Sequence, residues 1–287
     1  MHAVRTGYDR VRAYLSRHAC SDACPLQGRV TCAVAYTVIG MQRFAHDGIE
    51  IAFLDEGEGE PIVLIHGFGS NAEVNWVHPG WVTTLTRSGR RVIAPDNRGH
   101  GASSKPYEPA LYHSALMAED VRAVLDHLGI TRADVMGYSM GARIAAFFAL
   151  AHAQRLRRAV FGGLGSHLVE GVGLPESIAQ ALEAPSLADV RDPVGAMFRL
   201  FAEQTKSDLR ALAACIRGSR QTLSREEVAQ LRAPVMVAVG SKDAIAGSPH
   251  ALAALLPMGR ALDIPGRDHM LAVGDRVFKA AVLEFLA

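Results

Sequence analysis

The segment 137–141, Gly-Tyr-Ser-Met-Gly, places one serine between two glycines at a spacing that suits a nucleophile. A short apolar run beginning at residue 133 precedes it, and an alanine-rich helical stretch, residues 142–151, follows it directly. This is the G-x-S-x-G pattern in the context of strand, sharp turn and helix that a nucleophile elbow requires. The glycines suit the turn because the helix and the strand nearly touch there. We therefore predict that Ser139 projects its hydroxyl from the top of a sheet.

A serine hydroxyl is a weak nucleophile and needs a base, which in turn needs an orienting group. Position selects one histidine of the twelve, because His269 lies in the loop that leaves a late predicted strand, residues 261–265. Asp243 follows a buried apolar strand, residues 234–239, and is the candidate orienting acid. Its rival Asp268 is adjacent to the histidine in sequence, and neighbouring side chains seldom point at each other. The sequence thus predicts a triad of three side chains.

Two further loops carry a family resemblance. Residues 66–69 read His-Gly-Phe-Gly after a predicted strand, and residues 96–103 read Asp-Asn-Arg-Gly-His-Gly-Ala-Ser. They resemble the H-G-x-G and D-x-R-G-H-G-x-S loops of the α/β-hydrolase superfamily, and the chain order of serine, aspartate and histidine is also the order of that superfamily. The resemblance covers about residues 48–287. It implies an oxyanion hole formed by the backbone N–H groups of Phe68 and Met140, whereas the 96–103 loop is interpreted as a structural turn.

The resemblance implies a serine hydrolase that needs no cofactor and no metal. The activity we expect is cleavage of a small, fairly apolar carboxylic ester or lactone through an acyl-enzyme on Ser139. The same triad also supports enol-lactone hydrolysis, carbon–carbon bond hydrolysis and perhydrolysis in similar families, and these stay open. A receptor-like protein that binds a ligand in the same fold is the alternative outside enzymes. Haloalkane dehalogenases and epoxide hydrolases of this fold attack with an aspartate, and the residue here is serine.

Several large side chains are candidates for the substrate pocket. An apolar cluster in the helical region after residue 166 could face the active site or only pack that region onto the main domain. The two tryptophans, Trp76 and Trp81, either line the acyl pocket or pack in the core. We expect His66 and His100 to be buried, hydrogen-bonded structural residues rather than acid–base groups. The pocket candidates are Tyr138, Trp76, Met197, Phe198 and Phe201.

Strand and helix patterns alternate along the chain, which predicts an α/β fold with a mostly parallel sheet flanked by helices. Between the strand at 157–162 and that at 234–239 the pattern is helical, and we predict a helical lid inserted after strand 6. A capping box, Ser224-Arg-Glu-Glu227, marks one helix start in it. The predicted domains are a core of residues 41–166 and 233–287 and a lid of residues 167–232. The remaining predicted elements are strands 48–54, 61–66, 91–95 and 133–138 and helices 114–128, 139–151 and 275–286.

Composition narrows the class of protein further. With 30 basic and 29 acidic residues the net charge is +1, so the sequence offers no charged surface for nucleic acid and no polybasic membrane patch. The sequence contains no run of eighteen apolar residues, so we expect no transmembrane helix. Cys215 is the one cysteine of the predicted core and lid, which favours a reducing compartment, and we expect a cytoplasmic protein acting on a small molecule. The oligomeric state stays open.

Residues 1–40 differ from the remainder of the chain. They hold three of the four cysteines, as C-x₃-C-x₇-C, without the paired spacing and second half of a zinc site. The segment is rich in arginine and lacks a clear element pattern. We expect this N-terminal extension to be poorly ordered and dispensable. It is interpreted either as an upstream addition to a true start at Met41 or as a targeting segment.

Overall fold

The structure is a computed structural model that describes residues 40–171 and 176–287. The predictions for residues 1–39, including those for their three cysteines, lie outside the described residues. Among the residues described, no helix is long and apolar enough to cross a membrane.

The described residues form an eight-stranded sheet in the order β1-β2-β4-β3-β5-β6-β7-β8. Strands β1 and β2 pair antiparallel, β2 joins β4 antiparallel, and all later pairs are parallel. The carboxyl ends of six parallel strands therefore lie at the same edge of the sheet. The predicted nucleophile, acid and base each follow one of these strands, so all three lie at that edge. The strands are β1 Gln42–His46, β2 Ile49–Glu56, β3 Glu60–Ile65, β4 Arg90–Pro95, β5 Ala133–Tyr138, β6 Leu156–Gly162, β7 Val235–Gly240 and β8 Gly259–Ile264.

Alternating side chains of the central strands point to opposite faces of the sheet, and each face has its own apolar cluster. In β3, Val63 and Ile65 join one cluster while Ile62 and Leu64 join the other, and all four are fully buried. Helices on both faces cover these side chains, as the prediction of a mostly parallel sheet requires. The sequence-predicted fold class is confirmed.

Two helix groups cover the two faces. Helices α2 Ser114–His127 and α3 Met140–Ala151 bury their apolar stripes on one face, together with α9 Pro249–Ala253. Helices α1 Trp81–Arg87 and α11 Arg276–Leu286 cover the other, and the short α10 His269–Ala272 precedes α11. Helix α3 begins directly after β5, so its first turn lies at the carboxyl end of that strand.

Between β6 and β7 the described chain is helical. We call this segment, residues 163–234, the helical insertion. Its capping box at Ser224 and Glu227 is present as the sequence predicts. Whether it acts as a separate lid domain with the predicted bounds stays a prediction. Its helices are α4 His167–Glu170, α5 Glu176–Glu183, α6 Pro193–Gln204, α7 Leu209–Gly218 and α8 Arg225–Val228.

Several elements were not predicted from the sequence, among them strand β1 and the helices α1, α9 and α10. Strand β1 is an edge strand whose residues are mostly exposed, so it lacks the alternating apolar pattern that identifies a half-buried strand. Helix α1 reads Trp-Val-Thr-Thr-Leu-Thr-Arg, and its β-branched residues disfavour a helix locally. The helix forms because Trp81, Val82 and Leu85 bury one side of it against the sheet.

Candidate active site

Ser139 occupies the sharp turn between β5 and α3. Its φ of 55° and ψ of −113° lie outside the regions that ordinary residues favour, as expected for a strained nucleophile turn. Its backbone N–H donates to the carbonyl of Gly162 at 2.8 Å, which holds the turn against β6. A Cβ at Gly137 would overlap the Gly141 carbonyl, and one at Gly141 would overlap the carbonyls of Ile65 and His66. The turn can form only because both flanking residues are glycines.

The three predicted side chains form one hydrogen-bonded chain. Ser139 Oγ lies 2.9 Å from His269 Nε2, and His269 Nδ1 lies 2.7 Å from Asp243 Oδ2. The Asp243 carboxylate is fully buried, and its other oxygen, Oδ1, accepts the backbone N–H groups of Ile245 and Ala246 at 2.8 and 3.1 Å. The acceptor Oδ2 is therefore oriented toward the imidazole. An N–H at Nδ1 leaves a lone pair at Nε2 facing the serine hydroxyl, which is the arrangement a general base needs.

His269 is held in place by its neighbours. It is the first residue of α10, and Asp268 is the N-cap whose Oδ1 accepts the Leu271 N–H at 3.0 Å. This explains why the adjacent carboxylate does not orient the imidazole. On the other side, the Tyr138 hydroxyl donates to the His269 carbonyl at 2.6 Å, so the residue before the nucleophile also fixes the backbone of the base.

The loop after β3 carries Phe68, one of the two predicted oxyanion donors. Within the described part of the chain, neither the Phe68 nor the Met140 backbone N–H donates to another atom, and both residues line the cleft beside Ser139. The loop is fixed by Asn75, whose Oδ1 accepts the Gly67 N–H at 3.0 Å. Asn75 lies in a single π-helical turn, Glu73–Val77, and its Nδ2 is buried without a partner among the described residues.

His66 links the two loops that follow β3 and β4. Its Nε2 accepts the Asn97 N–H at 2.9 Å, so the proton lies on Nδ1, which donates to the Gly67 carbonyl at 2.8 Å. Burial lowers the pKa of His66 to about 4, and burial, aided by the neighbouring His66, lowers the pKa of His100 to about 3. Both rings are neutral at pH 7 and fully buried, which is the structural role that the sequence predicts.

The 96–103 loop is a turn closed by polar contacts. Asp96 accepts the N–H groups of Ala72 and Ala102 at 2.8 and 2.7 Å, and its own carbonyl accepts the Ser103 hydroxyl at 2.6 Å. None of these groups contacts the three candidate catalytic side chains. Through the contact of Asp96 with Ala72, the loop instead joins the chain after β4 to the chain after β3.

Two clefts meet at Ser139 and share Phe68. The first, which we call the arginine cleft, encloses about 510 Å³ including its opening to solvent, and its lining includes Met140, Arg143, Leu164, Ser219, Arg220 and Ile245. The second, which we call the aromatic cleft, encloses about 440 Å³ on the same basis, and its lining includes Ser70, Asn75, Tyr138, Phe198, Phe201 and His269. A substrate bound at the serine can therefore extend in two directions.

Three of the predicted pocket residues line the aromatic cleft. They are Tyr138 at the end of β5 and two residues of α6, Phe198 and Phe201. The α6 pair is three positions apart and therefore lies on one helix face. Phe198 packs edge-to-face on Phe68 with ring centroids 5.9 Å apart, so the insertion directly contacts the loop that carries Phe68.

Two other predicted pocket residues do not line either cleft in the described structure. Met197 is only one position from Phe198, so it points about 100° away around α6 and packs between the two apolar clusters. Trp76 is fully buried beneath the sheet against Trp81, with ring centroids 6.3 Å apart, and the Trp81 Nε1–H donates to the Val273 carbonyl at 2.6 Å. Of the two alternatives that the sequence left open for Met197 and Trp76, the described structure has both side chains packing in the core.

Arg143 lines the arginine cleft and was not among the predicted site residues. A sequence signal existed, because Arg143 is the only charged residue of α3 and stands one helical turn after the nucleophile. Asn75 had no comparable signal, since an asparagine in an irregular turn is common in loops. Among the residues described, no group of three or more His, Cys, Asp or Glu side chains could hold a metal ion.

Comparison with known proteins places this geometry in context. The family model of the alpha/beta hydrolase fold matches residues 60–168. A 2-hydroxymuconate semialdehyde hydrolase of Pseudomonas putida is 32% identical over 67% of this chain, which spans only 59% of that relative. A putative non-heme bromoperoxidase, BpoC, of Mycobacterium tuberculosis is 32% identical over 77% of this chain and 91% of the relative. The crystal structure of a hydrolase from Pseudomonas aeruginosa PA01 superposes with a TM-score of 0.71 at 26% identity, over 86% of this chain and 98% of that one.

Proposed function

Because the chain belongs to the α/β-hydrolase fold family, we propose that it is a serine hydrolase that cleaves a small, fairly apolar carboxylic ester or lactone. The observation that carries the proposal is the hydrogen-bonded chain from Ser139 Oγ through His269 to the buried Asp243 carboxylate. A serine alone would be a poor nucleophile, and this chain supplies both the base and its orienting group.

In the proposed first step, Ser139 Oγ attacks the substrate carbonyl carbon while His269 Nε2 takes the hydroxyl proton. Asp243 holds the Nδ1–H and stabilises the imidazolium that forms. The Phe68 and Met140 N–H groups donate to the oxyanion, whose charge develops only in the transition state, and removal of such a donor costs roughly 10²- to 10³-fold in rate.

In the proposed second half, the imidazolium gives its proton to the leaving alcohol, and an acyl-enzyme remains on Ser139. Water then loses a proton to His269 Nε2 as it attacks the acyl carbonyl. The tetrahedral species collapses to the free acid, and the serine recovers its proton. Two clefts at the nucleophile favour this scheme, because one can hold the acyl group while the other holds the leaving group.

A second candidate is hydrolysis of a carbon–carbon bond. It is favoured by the similarity to a 2-hydroxymuconate semialdehyde hydrolase and uses the same serine, histidine and aspartate. Enol-lactone hydrolysis and perhydrolysis remain further possibilities for the same triad. A receptor-like protein that binds a ligand without turnover is the alternative outside enzymes.

The test is turnover of 4-nitrophenyl esters from C2 to C12 by the wild type and by Ser139→Ala. We expect hydrolysis to fall at least about 10³-fold in the variant, because the residual rate rests on binding and the oxyanion donors alone. The control is Ser88→Ala at the C-terminal end of α1, whose hydroxyl only donates to the Leu85 carbonyl and which should keep full activity.

Labelling by a fluorophosphonate separates the alternatives. Labelled Ser139 without ester turnover would reject the ester chemistry and favour lactone or carbon–carbon hydrolysis. Neither turnover nor labelling would contradict the hydrolase proposal and favour the receptor-like protein.

A further inference from the structure

The arginine cleft is positively charged. Two arginine residues, Arg143 and Arg220, belong to its lining, and the lining contains no aspartate or glutamate. The other lining residues are apolar or neutral, such as Leu164, Ile216 and Ser219. Asp243, the acid of the candidate triad, is fully buried behind His269 and bonded there.

Arg143 is buried without a carboxylate. It is only 8% exposed, and its two terminal nitrogens donate to the backbone carbonyls of Gln221 and His167. A guanidinium has five N–H donors, so three have no acceptor among residues 40–171 and 176–287. Within the same residues, no acid lies within ion-pair distance of either cleft arginine.

A buried charge without a counter-charge is costly to a fold. Elsewhere in the described structure, buried arginines have acids beside them, as Arg98 does in its two-point contact with Asp120 at 2.7 Å. Burial lowers the pKa of Arg143 to about 10, which still leaves it charged at neutral pH. A tether from α3 to the insertion needs hydrogen-bond donors but no charge, so tethering alone does not account for an arginine here.

The position of Arg143 connects this charge to the reaction. It stands four residues after Ser139 on α3, which is a rise of about 6 Å along the helix. Arg220 lies on the loop after α7, in the helical insertion, and is a second arginine of the same cleft lining, with an exposed side chain. One substrate molecule can therefore place its carbonyl at Ser139 and another of its groups between the two arginines.

We propose that the arginine cleft binds a carboxylate carried by the substrate, so that the substrates are esters or lactones of acids with a second, anionic end. This inference rests on the proposed hydrolase function and refines its substrate class. Arg143 would hold the carboxylate from the floor of the cleft and Arg220 from its rim, while the apolar part of the substrate lies in the aromatic cleft.

The experiment compares two esters of equal length, 4-nitrophenyl hydrogen glutarate and its neutral methyl ester, methyl 4-nitrophenyl glutarate. We expect the wild type to prefer the anionic ester on the order of 10- to 100-fold in kcat/KM, the size of one charge-assisted hydrogen bond in a partly buried site. The succinate and adipate pairs show which spacing suits the cleft.

Variants assign the preference to the arginines. We expect Arg143→Met to bring the ratio of the two kcat/KM values close to one, and Arg143→Lys to restore part of it. The ratio is taken within each variant, so a general loss of activity cancels. If Arg143→Met does not fold, Arg220→Met tests the same cleft with an exposed residue. Arg191→Met is the control, because Arg191 is also exposed on the insertion and does not line the cleft.

A binding measurement keeps this inference separate from the ester chemistry. Glutarate should slow fluorophosphonate labelling of Ser139, the uncharged diamide glutaramide should not, and Arg143→Met should remove the protection. Ester turnover without charge preference or protection would overturn the carboxylate site and leave the hydrolase proposal intact. Protection by glutarate without ester turnover would keep the carboxylate site and reject the ester chemistry. Stronger protection by inorganic phosphate than by glutarate would overturn the assignment to a carboxylate.

If Ser139 is not labelled at all, the hydrolase proposal fails, and glutarate binding is then measured by titration calorimetry on the wild type and Arg143→Met. Binding that the variant loses would support the carboxylate site in a protein that is not a hydrolase. No binding to the wild type would reject it.

Discussion

At the scale of single residues, the orientation of His269 depends on how Asp243 uses its two oxygens. Oδ1 accepts two backbone N–H groups and Oδ2 faces the imidazole Nδ1. The carboxylate is fully buried, so no water competes for these positions. The same contacts that anchor the loop after β7 therefore also select the imidazole tautomer.

Asp243→Asn should reverse that tautomer. The amide oxygen would stay with the backbone N–H groups, and the amide nitrogen would then donate to Nδ1 and move the imidazole proton to Nε2. A protonated Nε2 cannot accept from Ser139, so we expect kcat to fall on the order of 10³- to 10⁴-fold, the size known for the equivalent change in serine proteases. Ester kinetics and unfolding curves measure the two effects separately.

The control for this variant is Asp263→Asn. Asp263 pairs with His250 at 2.6 Å on the exposed surface, so the substitution removes an Asp–His contact of the same kind away from the site. Its kcat should match the wild type. An Asp243→Asn enzyme within tenfold of wild-type kcat would show that another group orients His269.

At the scale of elements, the site depends on how closely α3 approaches β3 and β5. The first turn of α3 lies against the carbonyl groups at the end of β3, and glycine is required at the contact. This close approach aims Ser139 and places the Met140 N–H on the same side as the loop that carries Phe68.

Gly141→Ala should destabilise the fold. The new Cβ would overlap the backbone carbonyls of Ile65 and His66, which cannot move as a side chain can. We expect the free energy of unfolding to fall by about 3 kcal/mol or more. Gly129→Ala is the control, because its Cβ would meet nothing within 4 Å and only its φ of +65° would cost about 1–2 kcal/mol. If both variants lost the same free energy of unfolding in urea, the close approach of α3 to β3 would not be what requires glycine at position 141.

A second contact between elements holds the insertion together. Arg199 on α6 is only 6% exposed, and its Nη1 donates to the carbonyls of Ala181, Leu182 and Ala184 at 2.9 to 3.0 Å. These carbonyls lie at the C-terminal end of α5, where a helix leaves acceptors without partners. Arg199 thus joins α5 to the helix that carries the two cleft phenylalanines.

Arg199→Met should loosen the insertion while the sheet stays folded. Three buried carbonyls would lose their donor, and each such loss costs about 1–3 kcal/mol. We expect faster proteolytic cleavage within residues 163–234 and a higher KM for ester substrates, since Phe198 and Phe201 would be less well placed. Limited proteolysis with mass spectrometry measures the first effect. Arg191→Met should cleave at the wild-type rate, and an Arg199→Met pattern identical to it would contradict the prediction.

At the scale of the whole molecule, two neutral histidines lie between the loops that connect the sheet to the site. His66 and His100 are fully buried with ring centroids 5.2 Å apart, and burial lowers the pKa of both. An unfolded chain binds protons at these histidines below about pH 6.5, whereas the folded chain does not until about pH 4 for His66 and about pH 3 for His100. Their contribution to stability is complete above pH 6.5 and is lost as the pH falls toward those values.

His100→Phe should make the fold less sensitive to acid. Without His100, the unfolded chain binds up to one proton fewer below pH 6.5. The pH dependence of the free energy of unfolding then falls by up to about 1.4 kcal/mol per pH unit. The free energy of unfolding, measured in urea at pH 7.5, 6.0 and 5.0, should therefore fall less steeply for the variant. Contributions from nearby Asp96 and Lys105 remain in both proteins and largely cancel in the difference between slopes. Parallel slopes would show that His100 does not titrate between the two states.

From the sequence alone we could predict the seven strands β2 to β8, the elbow and the three candidate catalytic residues. Each of these rests on a local pattern, because a glycine-flanked serine between strand and helix, or a polar residue directly after a buried strand, predicts its own position at the edge of a parallel sheet. The confirmed fold class and the contacts of Ser139, Asp243 and His269 follow from such patterns.

Which side chains line the two clefts depends instead on tertiary packing. Whether Met197 or Phe198 faces the cleft depends on the rotation of α6 against the sheet, and the burial of Trp76 depends on the packing of α1 and α11. Whether an acid lies beside Arg143 depends on all the elements packed around it, so no local sequence pattern could show that it is buried without a carboxylate. Periodicity identifies an element because each residue carries the signal, whereas the packing of one element on another depends on residues far apart in the chain.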